Sequence, residues 1–473
     1  TQGVSSAASD VYKRQIILTP QPVTAPISSY LPFVEDSIKI LSESGTIYQK
    51  NGTIVSGLSL ENEHGDIVNT NYLRTLFEEH IALLVPSNNG YSKTKLSKDL
   101  ADVLLARMLT DPRIPKIKLQ TKFPLLTASG EVSTGFNSKT GTYSLSGKYE
   151  KMDWRTGVEI LKDLFGDWHY IRDADKARAI AACLTPMLKL GVFQGRNKVI
   201  PIGVVEADQS QAGKTTLIDT IAAIYGEVTE KLTTKPKGVG DLSESFGNSL
   251  NGKPFVLMDN IRGDVDSEII EAFVTSRSDI NVRGFRRLTK ANPSNYLLYM
   301  TSNGFTTTDD LLNRMYLIRI RKRDRSFKYR DWDGNDIVEH VLENSSKYIG
   351  AVIAVLKEWI EQGKRQLPTK LHQQEWGGVM NWILQNLFEL PSVDEGHDEA
   401  LRRCADHVAV FLREIWIASG QKTCEMTTQQ MLDLAKLHNI EVPGKRSSGW
   451  DQKQALQQLG RILSTRFGKP ARM

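Results

Sequence analysis

The stretch IPIGVVEADQSQAGKTT, residues 200–216, joins a predicted strand to a predicted helix. The part from Ile200 to Ala207 is mostly apolar and rich in β-branched residues, as expected for a buried parallel strand. A helix is predicted from Lys214 to Tyr225, and Gly226 supplies its stop signal. The apolar face of this helix consists of Leu217, Ile218, Ile221 and Ile224. The sequence therefore predicts an α/β fold in which a short loop connects a buried strand to a helix N-terminus.

The loop between this strand and helix has the residue types of a phosphate-binding loop, so Mg²⁺ and ATP are the expected cofactors. Backbone N–H groups and the helix dipole at a helix N-terminus favour an anion. Gly213 lets the backbone approach the phosphates, Lys214 would reach the β- and γ-phosphates, and Thr215 would place its hydroxyl on Mg²⁺. Asp208 replaces the first glycine of the G-x-x-x-x-G-K-[ST] pattern, which narrows the conformational freedom of the loop. The candidate nucleotide-binding residues are Asp208, Gln209, Ser210, Gln211, Ala212, Gly213, Lys214, Thr215 and Thr216.

A second apolar strand, PFVLMDN (254–260), is predicted to end in acid at Asp259, which can hold Mg²⁺ through water. The next residue, Asn260, stands where many ATPases of this type carry a glutamate that activates water. Asparagine can orient a water molecule but cannot accept its proton. The alternative bases in the following segment are Asp264, Asp266 and Glu268.

A third apolar strand, NYLLYMTSN (295–303), is predicted to end in polar side chains that could contact the γ-phosphate or the attacking water. These side chains are Thr301, Ser302 and Asn303. Arg314 follows in DDLLNRM and could reach the nucleotide of a neighbouring chain as an arginine finger, worth roughly 10³–10⁵ in rate. The alternative is a surface arginine on a short helix.

Residues 278–295 carry a cluster of cations around Gly284 and Phe285, which predicts a basic hairpin. Its candidate DNA-binding residues are Arg283, Arg286, Arg287 and Lys290. Such a hairpin could grip a phosphate backbone, or it could be a solvated charged turn. A second basic run, RIRKRDRSFKYR (319–330), could keep a sheet edge soluble or extend the DNA path.

The order of these segments resembles superfamily 3 helicases, and more narrowly the helicase half of phage and mobile-element primase-helicases. The stretches VLMDNIRGDVDSEIIEAFVTS (256–276) and TSNGFTTTDDLLNRMYLIRIRKR (301–323) carry most of the resemblance, which extends to residues 110–145 and 151–190. The resemblance implies an AAA+-like P-loop core, a homo-hexameric ring, ATP hydrolysis between subunits and DNA in a central channel. By position it implies that Lys214 and Thr215 bind nucleotide and metal, Asp259 binds metal, Asn303 senses the γ-phosphate, Arg314 is the finger, and Arg286 and Arg287 contact DNA.

Composition describes an ordinary globular protein of 473 residues, with 40% apolar and 24% charged residues and a net charge of +5. No apolar run approaches the ~18 residues of a membrane span. The three cysteines Cys183, Cys404 and Cys424 form no paired motif, which indicates a reducing compartment. The resemblance implies that this compartment is the cytoplasm of a bacterial or phage-infected cell. His397, Cys404 and His407 lack the spacing and the fourth ligand of a zinc site.

The chain is expected to divide into several regions. Residues 1–15 resemble a non-native leader, and 16–150 form an N-terminal α/β region with helices near 70–84 and 95–109. Residues 151–193 are helical, 194–330 form the P-loop ATPase core, 331–391 are helical, 391–396 (PSVDEG) are a linker, and 397–473 form a winged-helix-like module. The three predicted helices of that module (405–418, 427–438 and 452–466) could contact DNA or act as a packing cap. Trp359, Trp376 and Trp382 favour core packing over stacking on bases.

These observations predict an ATP-dependent DNA helicase that acts in replication of a phage or mobile element. Its expected partners are single-stranded or forked DNA, further copies of the chain, and a primase domain or protein. Asn260 favours the alternative, an ATP-gated DNA-binding or loading factor with little hydrolysis. A packaging motor is a third candidate, but no carboxylate cluster of a nuclease accompanies the P-loop.

Overall fold

The computed structural model describes residues 20–26, 28–50, 52–57, 67–194, 198–207, 209–232, 246–247, 250, 253–265, 267–284, 287–324, 326–332, 334–404, 407–420, 425–438, 440, 442 and 452–467. The chain divides into two compact units, Thr1–Leu125 with Val132–Lys148, and Leu126–Glu131 with Tyr149–Met473. The leader predicted at 1–15 lies outside the described residues. The mixed α/β class is confirmed, since both units combine helices with small or mixed sheets.

The first unit packs three helices against short strands. The helices are α1 (Tyr30–Glu43), α2 (Thr70–His80) and α3 (Lys98–Met108). The strands are β1 (Gln21–Thr24), β2 (Ile47–Lys50), β3 (Thr53–Ser56), β4 (Ile81–Ser87), β5 (Gly90–Thr94), β6 (Lys116–Ile117), β7 (Leu119–Thr121), β8 (Leu125–Leu126), of which only Leu125 is assigned to this unit, β9 (Val132–Ser133), β10 (Gly135–Asn137) and β11 (Thr142–Ser144). The helix predicted near 95–109 is confirmed. The helix predicted over 70–84 is too long, because Ile81 begins β4, which pairs with β1 and β5 and buries Ile81 and Leu83 at a strand period.

A six-stranded sheet organises the second unit. Its strands are β12 (His169–Tyr170), β13 (Ile202–Ala207), β14 (Glu230–Leu232), β15 (Phe255–Val265), β18 (Leu297–Thr307) and β19 (Met315–Arg321), in the order β12-β19-β13-β18-β15-β14. All neighbours are parallel except β12, which pairs antiparallel with β19. Strands β16 (Ile280–Gly284) and β17 (Arg287–Ala291) form a separate antiparallel hairpin. The predicted strand before the loop, the strands at 254–260 and 295–303, and the hairpin are thus all present.

Helices cover both faces of this sheet. They are α4 (Trp154–Leu164), α5 (Asp173–Met187), α6 (Lys214–Ile224), α7 (Glu268–Thr275), α8 (Asp309–Leu312), α9 (Ile337–Glu343), α10 (Ser345–Glu361), α11 (Gln374–Asn386) and α12 (His397–Cys404). A π-helical stretch (Leu188–Val192) continues α5, and 3₁₀ turns occur at Phe165–Asp167 and Pro293–Asn295. Strand residues alternate between the faces: Met300 joins an apolar cluster on one side, whereas the hydroxyl of Tyr299 reaches Ala182 O of α5 at 3.3 Å on the other.

The tryptophans predicted to be core residues are buried. Trp376 stacks on Tyr316 of β19 with 4.8 Å between ring centroids, and its indole N–H donates to Thr185 Oγ1 at 3.0 Å. Trp359 and Trp382 are 2% and 7% exposed. The core interpretation is therefore confirmed, since buried rings with internal partners cannot stack on nucleic-acid bases.

Residues 391–396, predicted as a linker, are instead fastened to α5. Arg178 Nη1 donates to the carbonyl oxygens of Val393 and Glu395 at 3.0 and 2.8 Å, and its Nη2 pairs with Asp175 at 2.7 Å. Asp175 Oδ1 also accepts the N–H of Arg319 in β19 at 2.9 Å. Because this segment satisfies a buried arginine, it is a packed part of the second unit.

Three further helices follow, α13 (His407–Ala418), α14 (Thr428–His438) and α15 (Gln452–Phe467), as predicted. They share a small core that includes Phe411, Leu432 and Leu459. The described residues of 397–473 contain no strand, so the wing of a winged helix stays a prediction. No helix in the described part of the chain is long and apolar enough to cross a membrane.

Candidate nucleotide-binding site

The predicted phosphate loop lies between the carboxyl end of β13 and the first residue of α6. Gly213 adopts φ +81 directly before the helix, a left-handed conformation that glycine enters without steric cost. Gln211 also has a positive φ, +60, within the same loop. Asp208, which replaces the first glycine of the phosphate-loop pattern, lies outside the described residues. The effect of this replacement on the loop therefore stays a prediction. The loop is placed where an open parallel sheet favours ligand binding, at the carboxyl ends of the strands.

Lys214 connects the loop to β18, the neighbouring strand. Its side chain is 8% exposed, and its Nζ donates to Asn303 Oδ1 at 2.6 Å. The amide nitrogen of Asn303 lies 3.5 Å from Asn260 Oδ1, at the outer limit of a hydrogen bond. Three residues that the sequence singled out from three separate segments are thus brought side by side.

A second set of contacts centres on Asp259. Its Oδ1 accepts hydrogen bonds from Thr215 Oγ1 at 2.7 Å and from Thr301 Oγ1 at 2.6 Å. The same hydroxyl of Thr301 accepts the backbone N–H of Asn260 at 2.8 Å. Thr301 was expected to face the γ-phosphate or water, but its hydroxyl is engaged with β15. Ser302 is engaged in the same way, donating to Ile261 O at 2.8 Å.

The oxygen atoms of Thr215 and Asp259 suit Mg²⁺. Magnesium is held in proteins by one or two carboxylates together with substrate phosphates and water, not by a full cage of protein ligands. One carboxylate beside one hydroxyl, next to the lysine of the loop, matches that description. Within the described residues, no group of three or more His, Cys, Asp or Glu could hold a metal ion.

The sequence predicted that the strand ends at Asp259 and Asn260. In the structure both residues lie inside β15. The strand continues to Val265, and its pairing with β18 shifts register between Met258 and Ile261. Asn260 sits in this irregularity with φ +55. A β-bulge re-aims the side chains of the bulged strand, which explains how consecutive residues both turn toward the loop.

None of the three alternative bases is seen at the site. Asp266 and the side chain of Asp264 lie outside the described residues. Glu268 is exposed in the first turn of α7. The buried Glu206, which the sequence reasoning passed over, lies near the end of β13, but its carboxylate is 3.6 Å from Arg319 Nε.

A cavity of about 500 Å³ opens beside the loop. Gly213 and Thr216 form its loop wall, and its other lining residues include Trp168, Tyr329 and Trp332. The indole N–H of Trp168 donates to Gly213 O at 3.1 Å. The lining combines these aromatic rings with charged and polar side chains, among them Arg321, Arg323 and Asp336, so a cavity of this size suits a polar organic ligand.

The second basic run, 319–330, surrounds this cavity. Lys322 Nζ donates to Gln211 Oε1 at 3.2 Å, and Arg330 pairs with Asp163 at 2.6 Å and Asp167 at 3.4 Å. Of the two interpretations of this run, the sheet edge kept soluble by charge is wrong, because β19 pairs with β12 on one side and β13 on the other. The second interpretation, an extension of the DNA path, stays a prediction. Sequence reasoning did not single out Trp168, and it named the basic run that contains Lys322 without predicting a contact with the loop, since both contacts join segments far apart along the chain.

Arg314 lies just after α8. Its Nη2 donates to both carboxylate oxygens of Asp310, at 3.0 and 3.2 Å, and its side chain is 17% exposed. Its Nε is buried and, within the described residues, has no hydrogen-bond partner. The role of Arg314 toward a neighbouring chain stays a prediction.

The basic hairpin is formed by β16 and β17, paired from Ile280↔Ala291 to Gly284↔Arg287. Its connecting residues Phe285 and Arg286, and the side chains of Arg283 and Arg287, lie outside the described residues. Lys290 is exposed on β17. The predicted hairpin is therefore present, and its role in DNA binding remains a prediction.

No protein-family model and no curated protein matches this chain. Among solved structures, the chain is similar to an apo structure of the NrS-1 C terminal region (11% identity, TM-score 0.34, covering 80% of each chain). A second apo structure of that region gives 9% identity and a TM-score of 0.35, covering 84% of this chain and 87% of that chain. A structure described as SCCmec type IV Cch, an active helicase, gives 14% identity and a TM-score of 0.31, covering 87% of this chain and 67% of that chain.

Proposed function

We propose that this chain is an ATP-dependent DNA helicase with an AAA+-like P-loop core, which couples ATP hydrolysis to movement along single-stranded DNA. The observation that carries the proposal is the convergence of Lys214, Asn303 and Asp259 level with the carboxyl end of β13, beside a glycine-containing loop at a helix N-terminus. Nucleotide-hydrolysing sites need these groups together: a cation for the phosphates, a carboxylate for the metal and a polar side chain for the transferred group.

Each residue has a role in this proposal. Backbone N–H groups of the loop and Lys214 bind the β- and γ-phosphates, and Asn303 senses the γ-phosphate. Thr215 and Asp259 would hold Mg²⁺, which neutralises phosphate charge. The cavity lined by Trp168 would take the nucleoside part of ATP, because it borders the loop at Gly213 and Thr216.

Movement on DNA needs contacts that change with nucleotide state. We assign these contacts to the hairpin β16–β17, with Arg283, Arg286, Arg287 and Lys290 as its cations. In a homo-hexameric ring, Arg314 would complete the site of the adjacent copy. Single-stranded or forked DNA and a primase are the partners of a replicative enzyme of this kind, in a phage or mobile element.

The test is ATP hydrolysis by the purified chain with and without single-stranded DNA. Lys214→Ala should abolish DNA-stimulated hydrolysis, because it removes the cation that contacts the phosphates. Lys357→Ala, a lysine on α10, serves as the matched control and should behave as wild type. Full hydrolysis by Lys214→Ala would refute the proposal.

Asn260 favours a second candidate, an ATP-gated DNA-binding or loading factor. An amide at this position cannot accept a proton from water. For such a factor, ATP would strengthen DNA binding without measurable turnover, and Asn260→Asp should gain hydrolysis because it adds a carboxylate at an unchanged backbone position. Rapid turnover by the wild type would exclude this candidate.

A further inference from the structure

A small cavity lies at the opposite edge of the sheet from the phosphate loop, at the amino ends of β13 and β18. Its volume is about 30 Å³. A cavity of roughly 10–15 Å³ is large enough for one water molecule. This cavity therefore has room for the oxygens of one small group but not for a nucleotide. Its location makes it independent of the nucleotide site.

Three cations line this cavity: Lys189, Lys198 and Arg277. Lys198 is paired with Glu375. Within the described residues, neither Lys189 nor Arg277 forms an ion pair. Arg277 is exposed to solvent, whereas Lys189 is mostly buried. Burial of a cation without a counter-charge is unfavourable, so an anion in the cavity would stabilise Lys189.

Lys189 is held in place by unusual backbone. It belongs to the π-helical stretch Leu188–Val192, and π-helical turns occur frequently at functional sites. Its Nζ donates to Pro293 O at 3.0 Å and to Tyr296 O. These carbonyls leave the ammonium charge uncompensated, and burial lowers the pKa of Lys189 to about 7. A bound anion would favour the charged form of this lysine.

The cavity lies at the root of the basic hairpin. Arg277 precedes β16, and the 3₁₀ turn Pro293–Asn295, whose Pro293 accepts from Lys189, follows β17. The two ends of the hairpin are also joined by Asn292, whose Nδ2 donates to Asp279 at 3.0 Å. The nearby carboxylate of Asp279 is thus hydrogen-bonded to a neutral amide, not to one of the cations of the cavity. A single strand of DNA bound along the hairpin would pass this edge of the sheet.

We propose that this cavity is a second nucleic-acid contact, in which Lys189, Lys198 and Arg277 hold one phosphate of the DNA backbone at the root of the hairpin. The inference rests on the proposed DNA-binding function and adds a site to it. One phosphate fits the volume, and a phosphodiester would bring one negative charge to a cavity in which Lys189 and Arg277 form no ion pair within the described residues. A contact of this kind adds affinity without sequence preference.

The experiment measures binding of a fluorescent oligothymidylate to the full chain by anisotropy over a range of salt concentrations. Arg277→Gln is the primary variant, because it removes charge from an exposed side chain that supports no described contact. It should weaken binding several-fold and reduce the salt slope by about 0.7, the value for one phosphate on a single strand. Lys198→Gln should act in the same direction, and Lys370→Gln, outside the cavity, should have no effect. ATP hydrolysis without DNA should be unchanged in all three.

The outcomes separate this site from the proposed function. Unchanged salt slopes in both Arg277→Gln and Lys198→Gln, with wild-type DNA binding intact, would overturn the site alone. If inorganic phosphate raises the thermal stability of wild type but not of Arg277→Gln while DNA binding is unaffected, the cavity binds a free anion, and the assignment to nucleic acid is wrong. A wild-type chain that binds no DNA would overturn both proposals.

Discussion

Replacing Thr301 with valine removes the one hydroxyl that joins Asp259 to Asn260 while it keeps the shape of the side chain. Thr301 is fully buried on β18. Its Oγ1 donates to Asp259 Oδ1 at 2.6 Å and accepts from the N–H of Asn260 at 2.8 Å. The substitution therefore leaves one backbone N–H without an acceptor and takes one of two described donors from the carboxylate.

The expected loss of stability follows from these two bonds. A buried N–H without a partner costs about 1–3 kcal/mol, and a lost hydrogen bond to a charged group costs roughly 1.5–3 kcal/mol. Asp259 is partly buried and keeps the hydroxyl of Thr215, so the lower halves of these ranges apply. Thr301→Val should therefore lose about 2–4 kcal/mol of unfolding free energy. Since groups that orient a metal ligand are worth about 10–100-fold in metal affinity, Mg²⁺-dependent ATP binding should weaken at least about tenfold.

The adjacent residue provides a matched control. Ser302 is equally buried, donates to Ile261 O at 2.8 Å and accepts from the N–H of Gly304 at 2.9 Å. Ser302→Ala also breaks two hydrogen bonds between β15 and β18 or within β18, but neither bond involves Asp259. Urea denaturation should show comparable losses of stability for the two variants.

Calorimetric titration with ATP should separate them, because only Thr301→Val should lose affinity in the presence of Mg²⁺. Both variants should bind ATP like wild type when Mg²⁺ is removed with a chelator. Equal loss of Mg²⁺-dependent affinity in both variants would show that Thr301 acts only through stability. Unchanged affinity in Thr301→Val would refute the assignment of Asp259 to the metal.

Three further predictions concern separate parts of the chain. Trp168→Phe removes the hydrogen bond to the carbonyl of the phosphate loop, worth about 1 kcal/mol, so ADP affinity measured by calorimetry should fall severalfold, and an unchanged affinity would rule out a positioning role. If Arg314 acts on a neighbouring chain, Arg314→Ala and Lys214→Ala should each be inactive alone, and mixing them should recover part of the ATP hydrolysis, whereas no recovery would argue against action between chains. In the first unit, hydrogen bonding from Arg113 lowers the pKa of Asp111 to about 2. A lowered folded-state pKa stabilises above the unfolded value of about 3.9, so Asp111→Asn should lose about 1–2 kcal/mol near neutral pH. This difference should shrink as the pH falls toward about 2, and a difference that is independent of pH would contradict the ion pair.

Local sequence patterns predicted the elements whose structure depends on their own residues. The helix after the loop, its apolar face and the paired strands of the basic hairpin all follow from short-range periodicity and stop signals. The convergence of Lys214, Asp259 and Asn303 was also predicted, although the prediction assumed strands that end at Asp259 and Asn303, whereas both strands continue past these residues.

The sequence did not show where strands β15 and β18 end. Both continue for several residues beyond their polar positions, because Gly263 to Val265 pair with Phe305 to Thr307. The threonines of that segment are typical strand residues, but the polar residues before them resemble a loop when pairing across the sheet is unknown. The extended pairing determines that Thr301 and Ser302 face β15 and not an incoming phosphate.

Local sequence patterns also could not predict the contacts that Trp168 and Lys322 make with the phosphate loop. Trp168 precedes the short edge strand β12, and Lys322 follows β19, so their pairing brings both beside the loop. Trp168 belongs to no recognisable spacing pattern, and the basic run that contains Lys322 did not indicate a contact with the loop. A long-range contact of this kind depends on the packing of the whole sheet, which no window of sequence contains.

Backbone strain at the site bears on the choice between a motor and a switch. Among the described residues, Gln211, Asn260, Lys364 and Glu389 are the non-glycine residues with positive φ, and the first two flank the position of Lys214. Each is held by a hydrogen bond from a neighbouring segment, Gln211 by Lys322 and the N–H of Asn260 by Thr301. Asparagine tolerates the left-handed region better than glutamate does, so the conformation of the bulge alone can account for an amide at position 260. The absence of a glutamate at position 260 therefore does not by itself indicate a switch, because the bulged backbone also accounts for it. Asn260→Asp is the informative substitution, because aspartate keeps the tolerance for this conformation and changes only the capacity to accept a proton.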